Sequence, residues 1–589
     1  MWFPQFALPD APARVEPTSL LLVQGLHELL SATTPDSFCA RTLDLALLLR
    51  DFLHVAEVSD GDSRWVQHWT PLSDELATVI DAEQRAIGPK SELRLAIDDV
   101  IGAARSGKDP YVLRQRIAVA MGHLGDPRKR WVHDLQELLQ HHANNKQAWL
   151  SRLSSIASHI EYQGLSSECV AAANEDKITQ PPEKALLHIL APLLAEKRTF
   201  TLALAIDGPG TDAQAITDGS IFLNAIKQES LKASETTQRW VESHHDDFIV
   251  TCSVEAHSAR SAAEFANSGL AAILNLHNLY LNDVRYRARS EILYWTEQST
   301  PQTLTMTPSV HFGLFPRKHA RSLTKQRVAK LKGRLDGRLA NALECHALAL
   351  AAKDPQTVVI NLWTALETLS GSPTSGSIGH HVAKMLAPNI AWRRADKIVT
   401  YLAINFVALC RREEKRANDG PLRFADNPHW VSPDDVLEAI TGPKDNPKIL
   451  HFLKESAESP LLVQRFYGAW KEFNDPNELR KSIEQSKQRV EWQILRIYRA
   501  RNLLVHRGEQ NHLIWRLLKN AQYYVSVSLS RVLQDMSGFP DWGVDASLQN
   551  QSLHYRHIIA GLSGRRPSGL THSDFLGGRS EEEDLRLWT

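Results

Sequence analysis

Cysteine is scarce in this sequence, with five residues among 589, and no two of them are spaced as C-x-x-C. Such dispersal argues against both a disulfide framework and a cysteine-based zinc site. A reducing cytoplasm is the compartment that fits this pattern best. The five residues stand singly, at Cys39, Cys169, Cys252, Cys345 and Cys410.

Long apolar runs are lacking as well. No stretch reaches the roughly 18 consecutive apolar residues that a membrane-spanning helix needs. The opening residues, MWFPQFALPDAPARVEP, contain no basic segment followed by an apolar one, which a secretion signal requires. We therefore expect a cytoplasmic protein with no membrane partner, and we predict no metal site and no cofactor.

An excess of charge of one sign is also missing, because the formal net charge is −1. Any affinity for nucleic acid must therefore come from a local basic patch. The most basic run is 317–338, in which a predicted apolar stripe is flanked by Arg327, Lys330 and Arg334. Two interpretations stay open: a solvated helix flank with snorkelling side chains, or a surface that contacts the RNA backbone.

What the sequence does contain is helical periodicity. Apolar residues recur at three- and four-residue spacing from 18 to about 197 and again beyond 317, while TFTLALAID and DFIVTCSVEA have strand character. We predict a mainly α fold with a multi-domain α+β organisation. The predicted parts are an N-terminal α-helical domain (1–197), a small α+β domain (198–316), a helical bundle (317–545) and a flexible tail (546–589).

Within the bundle, the stretch RIYRARNLLVHRG (496–508) places polar side chains in an apolar helix. This helix is predicted to begin at Asp475-Pro476 and to end at Gly508. Arg501 falls in the apolar stripe, so we expect a buried cation that needs a partner. Asn502 precedes His506 by four residues and shares its face. The stripe consists of Val490, Ile494, Ile497, Arg501 and Leu504.

Arginine and histidine five residues apart are not a specific signal by themselves. Only the pair at Arg501 and His506 puts its arginine in the apolar stripe of a long helix, and only there does asparagine follow the arginine. The same spacing occurs at Arg128/His133, Arg239/His244 and Arg507/His512.

The text RARNLLVHRGE, together with the earlier LWTALETLSG, resembles the HEPN ribonucleases, and in particular the Apea-like HEPN branch. The resemblance covers about 323–536. It implies a HEPN-like helical bundle that cleaves RNA without metal, and that pairs into a homodimer or a higher oligomer with a composite site. By analogy we expect a role in prokaryotic antiviral defence or abortive infection.

The resemblance also implies roles for individual residues. His506 would exchange a proton, and Arg501 would stabilise the charged phosphorane. Asn502 would orient His506 or a phosphate, and Glu367, on a helix that opens at Asp354-Pro355, would hold Arg501. Arg507 is grouped with the RNA-binding residues.

Two alternatives accompany this hypothesis. In the first, Arg501 and Glu367 form only a core ion pair and His506 is only a residue of the helix end. In the second, the bundle is a catalytically inactive module for RNA binding, dimerisation or assembly. The regions before the bundle are expected to sense a trigger molecule or to hold the nuclease inactive.

The pair His380-His381 lacks a second cluster of metal ligands and is interpreted as a surface or cap feature.

Overall fold

The structure of this protein is a computed structural model whose described part is mainly helical, with one small antiparallel sheet. The predicted fold class is confirmed. No helix in this part is long and apolar enough to cross a membrane. Apart from a few single residues, the described segments are 17–30, 43–82, 91–107, 109–126, 146–162, 197–208, 224–225, 234–281, 287–305, 336–352, 354–373, 376–416, 433–441, 459–508, 514–539 and 541–563.

The chain divides into two compact units. One comprises 1–159, 171–187 and 310–589, and the other comprises 160–170 and 188–309. Most of the predicted N-terminal domain therefore belongs to the same unit as the predicted bundle. The physical reason is a set of buried polar contacts between them, such as the bidentate bond from Arg465 to Glu28 and the bond from Arg496 to Asp51.

Six α-helices are described before the sheet, and their apolar stripes supply many of the buried residues of this region. Asp44 caps α2 by accepting from the backbone N–H groups of Ala46 and Leu47, as a short carboxylate does at a helix start. The helices are α1 (Pro17–Leu30), α2 (Leu45–Gly61), α3 (Trp69–Ala82), α4 (Glu92–Arg105), α5 (Pro110–Leu124) and α6 (Lys146–Tyr162), with a 3-10 helix at Ser63–His68.

The second unit is built on an antiparallel sheet of order β2-β3-β1-β4-β5. One face of β1 packs against α8 through Leu202 and Leu204, and the other face, with Ala203 and Ala205, packs against Trp240 of α7. Because both faces are covered, β1 is a continuous apolar run. The elements are β1 (Arg198–Asp207), β2 (Asn224–Ala225), α7 (Glu235–Ser243), β3 (Phe248–Ala256), α8 (Ala259–Leu281), β4 (Arg287–Trp295) and β5 (Gln302–Thr305).

Nine further helices follow in the described part, and α15 lies at their centre. It packs against α10, α11, α14, α16 and α17, and also against α3 of the N-terminal region. The helices are α9 (Gly337–Ala351), α10 (Pro355–Ser370), α11 (Ile378–Trp392), α12 (Arg394–Arg416), α13 (Pro433–Thr441), α14 (Pro460–Phe473), α15 (Pro476–Arg507), α16 (Ile514–Gly538) and α17 (Val544–Leu562).

The predicted flexible tail needs correction, because its first part is α17. Leu548 and Ile558 are fully buried in this helix. Ser547 and Gln551 donate to the carboxylate of Asp535 on α16, at 2.7 and 3.1 Å. These contacts order a segment whose composition is polar. Residues 564–589 lie outside the described part.

The basic run also lies largely outside the described residues, and with it Arg327, Lys330 and Arg334. The described helix α9 begins only after Asp336, whose carboxylate accepts from the backbone N–H of Arg338. The Arg338 guanidinium donates to the carbonyl oxygens of Thr368 and Leu369 at the end of α10. Arg338 therefore caps a neighbouring helix.

Candidate functional site

Helix α15 carries the predicted motif, and both of its ends match the prediction. The carboxylate of Asp475 accepts from the N–H groups of Asn477 and Glu478, and Pro476 occupies the first turn. Gly508 ends the helix with φ +67°, the left-handed conformation that glycine adopts without strain. At about 1.5 Å per residue the helix is about 48 Å long.

Arg501 is half-buried, although the rest of its stripe lies in the core. Its Nη1 donates to Oδ1 of Asn502 at 3.1 Å. Its Nε is buried and has no hydrogen-bond partner in the described part of the chain. The structure thus brings Arg501 and Asn502 together, on the same helix, and leaves guanidinium donors unused.

The expected contact between Arg501 and Glu367 is not formed among the described residues. Instead, Oε2 of Glu367 accepts from the indole Nε1 of Trp363 at 2.8 Å. Trp363 lies one turn earlier on α10, so the two side chains meet on one helix face. The expectation that Glu367 holds the Arg501 guanidinium is therefore wrong for this structure.

His506 is exposed in the last turn of α15. Within the described residues it makes no hydrogen bond, and Asn502 uses its oxygen for Arg501 instead. Five residues correspond to a rotation of about 140° around a helix, so Arg501 and His506 leave α15 on different sides. One copy of the chain does not assemble the two motif side chains into one contact.

Arg507, the described member of the predicted RNA-binding set, is also exposed. Its Nη2 lies 3.5 Å from the carbonyl oxygen of Val58, at the end of α2. Nearby, Arg64 binds Asp62 through two nitrogens. This hydrogen bonding lowers the pKa of the Asp62 carboxyl, and the charge of Arg507 makes a smaller contribution. Arg507 therefore lies on a surface that already contains an exposed ion pair.

The cations that are fully buried on α15 are Arg496 and Arg499, which the sequence analysis missed. Arg496 donates from Nε to Asp51 at 2.9 Å and from Nη2 to Glu75 at 2.6 Å. Arg499 donates to the same Asp51 oxygen at 2.8 Å. All four side chains are at most 3 % exposed. We call Asp51, Glu75, Arg496 and Arg499 the buried charge cluster.

The two arginines of the buried charge cluster have different electrostatic surroundings. Burial opposes the charge of Arg496, but the charges and hydrogen bonds of Glu75 and Asp51 together raise its pKa. For Arg499 burial outweighs the attraction of Asp51, and its pKa is lowered. With two guanidinium and two carboxylate groups, the cluster is formally neutral. It joins α15 to α2 and α3.

A signal for this cluster was present in the sequence. Asp51 lies inside the apolar run LALLLRDFLHVAEV, and Glu75 lies between Leu72 and Leu76 in α3. An acid on the apolar face of a helix predicts a buried partner. Periodicity alone could not identify that partner.

An aromatic and imidazole group lies beside Arg499. The ring of His68 stacks on His380 at 6.2 Å between centroids and contacts Tyr498 at 5.9 Å. Tyr498 also contacts Trp363. Burial lowers the pKa of His68 to about 2, and the positive charge of Arg499 acts in the same direction. His68 is therefore neutral at pH 7.

Metal ligands do not converge within the described residues, where no group of three or more His, Cys, Asp or Glu side chains could hold an ion. His381 instead contacts the carbonyl oxygen of Ser370 at 3.0 Å, at the end of α10, which is the cap role expected for it. Cys252 and Cys345 are free thiols. Burial raises the pKa of Cys252 to about 12, so this thiol is inert at neutral pH.

In comparisons with known proteins, no protein family, curated protein or solved structure matches this chain.

Proposed function

We propose that this chain is a metal-independent endoribonuclease of the HEPN type, cytoplasmic and acting in prokaryotic antiviral defence or abortive infection. The observation that carries the proposal is the presentation of His506 on α15. The imidazole is exposed and free of hydrogen bonds within the described residues, at the end of a helix whose preceding turns are buried. Family resemblance supplies the reaction.

Metal-independent RNA cleavage needs a base that takes the proton of the ribose 2′-hydroxyl, an acid that protonates the leaving oxygen, and a cation that stabilises the charged phosphorane. An imidazole exchanges protons near neutral pH, and a guanidinium offers planar donors to phosphate oxygens. His506 would take the first role. Arg501, oriented by Asn502, would take the last.

A homodimer or higher oligomer would complete the site. One histidine does not easily act as base and acid together, and Arg501 and His506 leave α15 about 140° apart. In the resembled family two bundles face one cleft. A second copy would supply a second histidine and arginine to such a cleft.

Cleavage of labelled RNA in EDTA tests the proposal. Wild-type protein should yield products ending in 2′,3′-cyclic phosphate. Arg501→Ala and His506→Ala should each reduce the rate by at least about 100-fold, as loss of a proton-transfer or charge-stabilising group does. Unreduced cleavage by both variants would show that the site lies elsewhere.

Matched controls are available on α17, where Arg556 and His557 are adjacent and exposed. Arg556→Ala and His557→Ala remove the same chemical groups from exposed positions outside the motif. They should leave the cleavage rate unchanged. A loss equal to that of the motif variants would indicate a general effect of charge or folding.

The second candidate function is a catalytically inactive RNA-binding, dimerisation or assembly module. The observation that favours it is the missing contact between Arg501 and Glu367, together with the separation of Arg501 from His506. Under this alternative RNA is bound but never cut, with or without a trigger. Gel-shift and cleavage assays on the same samples distinguish the two.

RNA contact by the basic run is a separate element of the proposal. Reversing the charges of Arg327, Lys330 and Arg334 should weaken RNA binding and flatten its dependence on salt, because fewer counterions are released. Arg507→Glu should act in the same direction. An unchanged salt slope in both would remove these residues from the RNA surface.

Regulation by the N-terminal region is supported by the buried charge cluster. Asp51 and Glu75 of the N-terminal helices bond to α15 two turns or less before Arg501. A trigger that moved α2 or α3 would therefore act directly on the helix that carries the motif.

A further inference from the structure

A cavity of about 380 Å³ lies between α12, α14 and α15, and Glu28 of α1 reaches its wall. Ligand pockets in proteins span roughly 300–1,000 Å³, so this one has room for a small molecule only. Arg501, Asn502 and His506 do not line it. The cavity is therefore distinct from the candidate site at the end of α15.

Four cations line the cavity, and two of them are available to a ligand. Arg465 is neutralised by a bidentate bond to Glu28 at 2.8 to 3.0 Å, and Arg394 lies 3.4 Å from a carboxylate. By contrast, Lys471 and Lys481 are exposed and have no hydrogen bond or ion pair in the described part of the chain. Two free ammonium groups at one opening favour an anion such as phosphate.

One acceptor in the cavity wall lacks a donor. Oε2 of Glu472 is the oxygen that lies 3.4 Å from Arg394, whereas its Oε1 is buried without a hydrogen-bond partner among the described residues. A carboxylate with one unsatisfied oxygen is costly to bury, so a ligand N–H that reached the exposed part of the Glu472 carboxylate would be favoured. Glu478, the remaining carboxylate, is exposed one turn before Lys481 and partly offsets its charge.

Apart from Arg394, the residues of α12 that line the cavity are mainly apolar and include an aromatic ring: Ile398, Tyr401 and Leu402. On the α14 side, a Cβ added at Gly468 would meet nothing within 4 Å. There is therefore room for a larger side chain at Gly468, which lines the cavity. A flat, partly apolar group fits between the two sides.

We propose that this cavity binds a nucleotide. Its phosphate is held by Lys471 and Lys481, a base N–H donates to the carboxylate of Glu472, and the base lies against Ile398 and Tyr401 of α12. The ligand would contact α1 and the first turns of the motif helix α15 together. This inference does not depend on ribonuclease activity, because it concerns binding of a free small molecule.

Calorimetry on the full-length chain tests it, with AMP, GMP, CMP and UMP as probes and with ribose 5-phosphate and inorganic phosphate as probes that lack a base. At least one nucleotide should bind 10-fold or more tightly than either probe without a base. The double substitution Lys471→Glu and Lys481→Glu should weaken that binding at least 10-fold. Glu472→Gln should weaken the nucleotide and leave ribose 5-phosphate unchanged.

Two further variants separate the cavity from a general charge effect. Gly468→Trp fills the cavity and should abolish binding while the helical circular dichroism stays at the wild-type level. Lys384→Glu, an exposed charge reversal on α11 outside the cavity, should change nothing.

The proposal would be overturned by no binding of any mononucleotide at millimolar concentration, by equal binding to the double lysine variant, or by inorganic phosphate binding as tightly as the best nucleotide. Binding confined to oligonucleotides would assign the cavity to an RNA strand and would also overturn it. Cleavage of RNA by the same protein has no bearing on these outcomes, so this inference and the proposed ribonuclease can fail separately.

Discussion

Arginines at two levels of the same helix, α15, have opposite environments. The lower level is residues 496–499, and the upper level is residues 501–508. At the lower level Arg496 and Arg499 are almost fully buried and share Asp51 as a partner. At the upper level Arg501 is half-buried and bonds only to Asn502 among the described residues, and His506 is exposed. Two residues along the chain, from Arg499 to Arg501, separate the buried charge cluster from groups that remain free for chemistry.

The difference shows that position in an apolar stripe does not decide the role of a charged residue. Arg501 lies in the predicted stripe yet is only half-buried, whereas Arg496 lies outside that stripe and is buried because α2 and α3 cover it. A charge is retained in the core where carboxylates are available to it. A charge near a helix end with no such partner reaches toward solvent.

The comparison is tested most directly by removing the guanidinium group at each of the two levels. Arg496→Met leaves Glu75 buried without its cation and should cost about 3–5 kcal/mol of unfolding free energy. Arg501→Met loses one hydrogen bond and should cost about 1 kcal/mol. Urea unfolding followed by tryptophan fluorescence measures both. Equal costs would mean that the two levels do not differ.

Gly379 tests how tightly the lower level is packed. A Cβ at this position would overlap the ring of Tyr498, which contacts His68 and Trp363. Gly379→Ala should therefore cost about 1–3 kcal/mol through forced movement of Tyr498. Gly102→Ala, in a helix where a Cβ meets nothing within 4 Å, should instead stabilise by about 0.5–1 kcal/mol. If thermal melts showed that Gly379→Ala and Gly102→Ala change stability in the same direction, the described packing at Gly379 would be contradicted.

The lower level should also be sensitive to acid through His68. The unfolded chain protonates a histidine below about pH 6.5, but folded His68 stays neutral down to a pKa of about 2. The unfolded state thus binds more protons in this window, and stability falls as the pH falls. Going from pH 7 to pH 5 should cost about 2 kcal/mol through this group.

The matched variants for acid sensitivity are His68→Phe and His557→Phe. The first should flatten the dependence of unfolding free energy on pH between 7 and 5, and the second, at an exposed site on α17, should leave it as in wild type. If His68→Phe kept the full dependence, other groups would account for the acid sensitivity.

The smallest effect is expected at the upper end, where Gly508 adopts φ +67°. Gly508→Ala should cost about 1 kcal/mol, because a Cβ strains the left-handed conformation. Gly508→Asn should cost less, since asparagine tolerates that conformation. Under the proposed function, the alanine variant should also slow RNA cleavage by loosening the turn that carries His506. A larger loss for asparagine than for alanine in thermal melts would rule out this explanation.

Much of the local structure was predictable from the sequence because it depends on neighbouring residues. Asp354-Pro355 and Asp475-Pro476 open helices as expected, since a capping carboxylate and a proline both act within one turn. The strand at Arg198–Asp207 was recognised from its apolar run. The tail was misjudged because the packing of α17 depends on Asp535, a residue of another helix.

The candidate site was predictable only in part. Sequence identified α15 and its end at Gly508, but it related Asn502 to His506, whereas the Asn502 oxygen accepts from Arg501. It assigned Glu367 to Arg501, but the nearer indole of Trp363 takes that carboxylate. Competition between a partner on the same helix and one on another helix depends on tertiary distances, which periodicity does not contain.

For this protein, the sequence by itself determined where most of the described helices and strands lie, because caps, turns and apolar periodicity are local interactions. Only the tertiary structure decided which charges are buried and which stay free. Asp51 and Arg496 are 445 residues apart in the chain, and no local rule connects them. Their pairing follows from the need of every buried charge for a partner, which is satisfied only when the helices have packed.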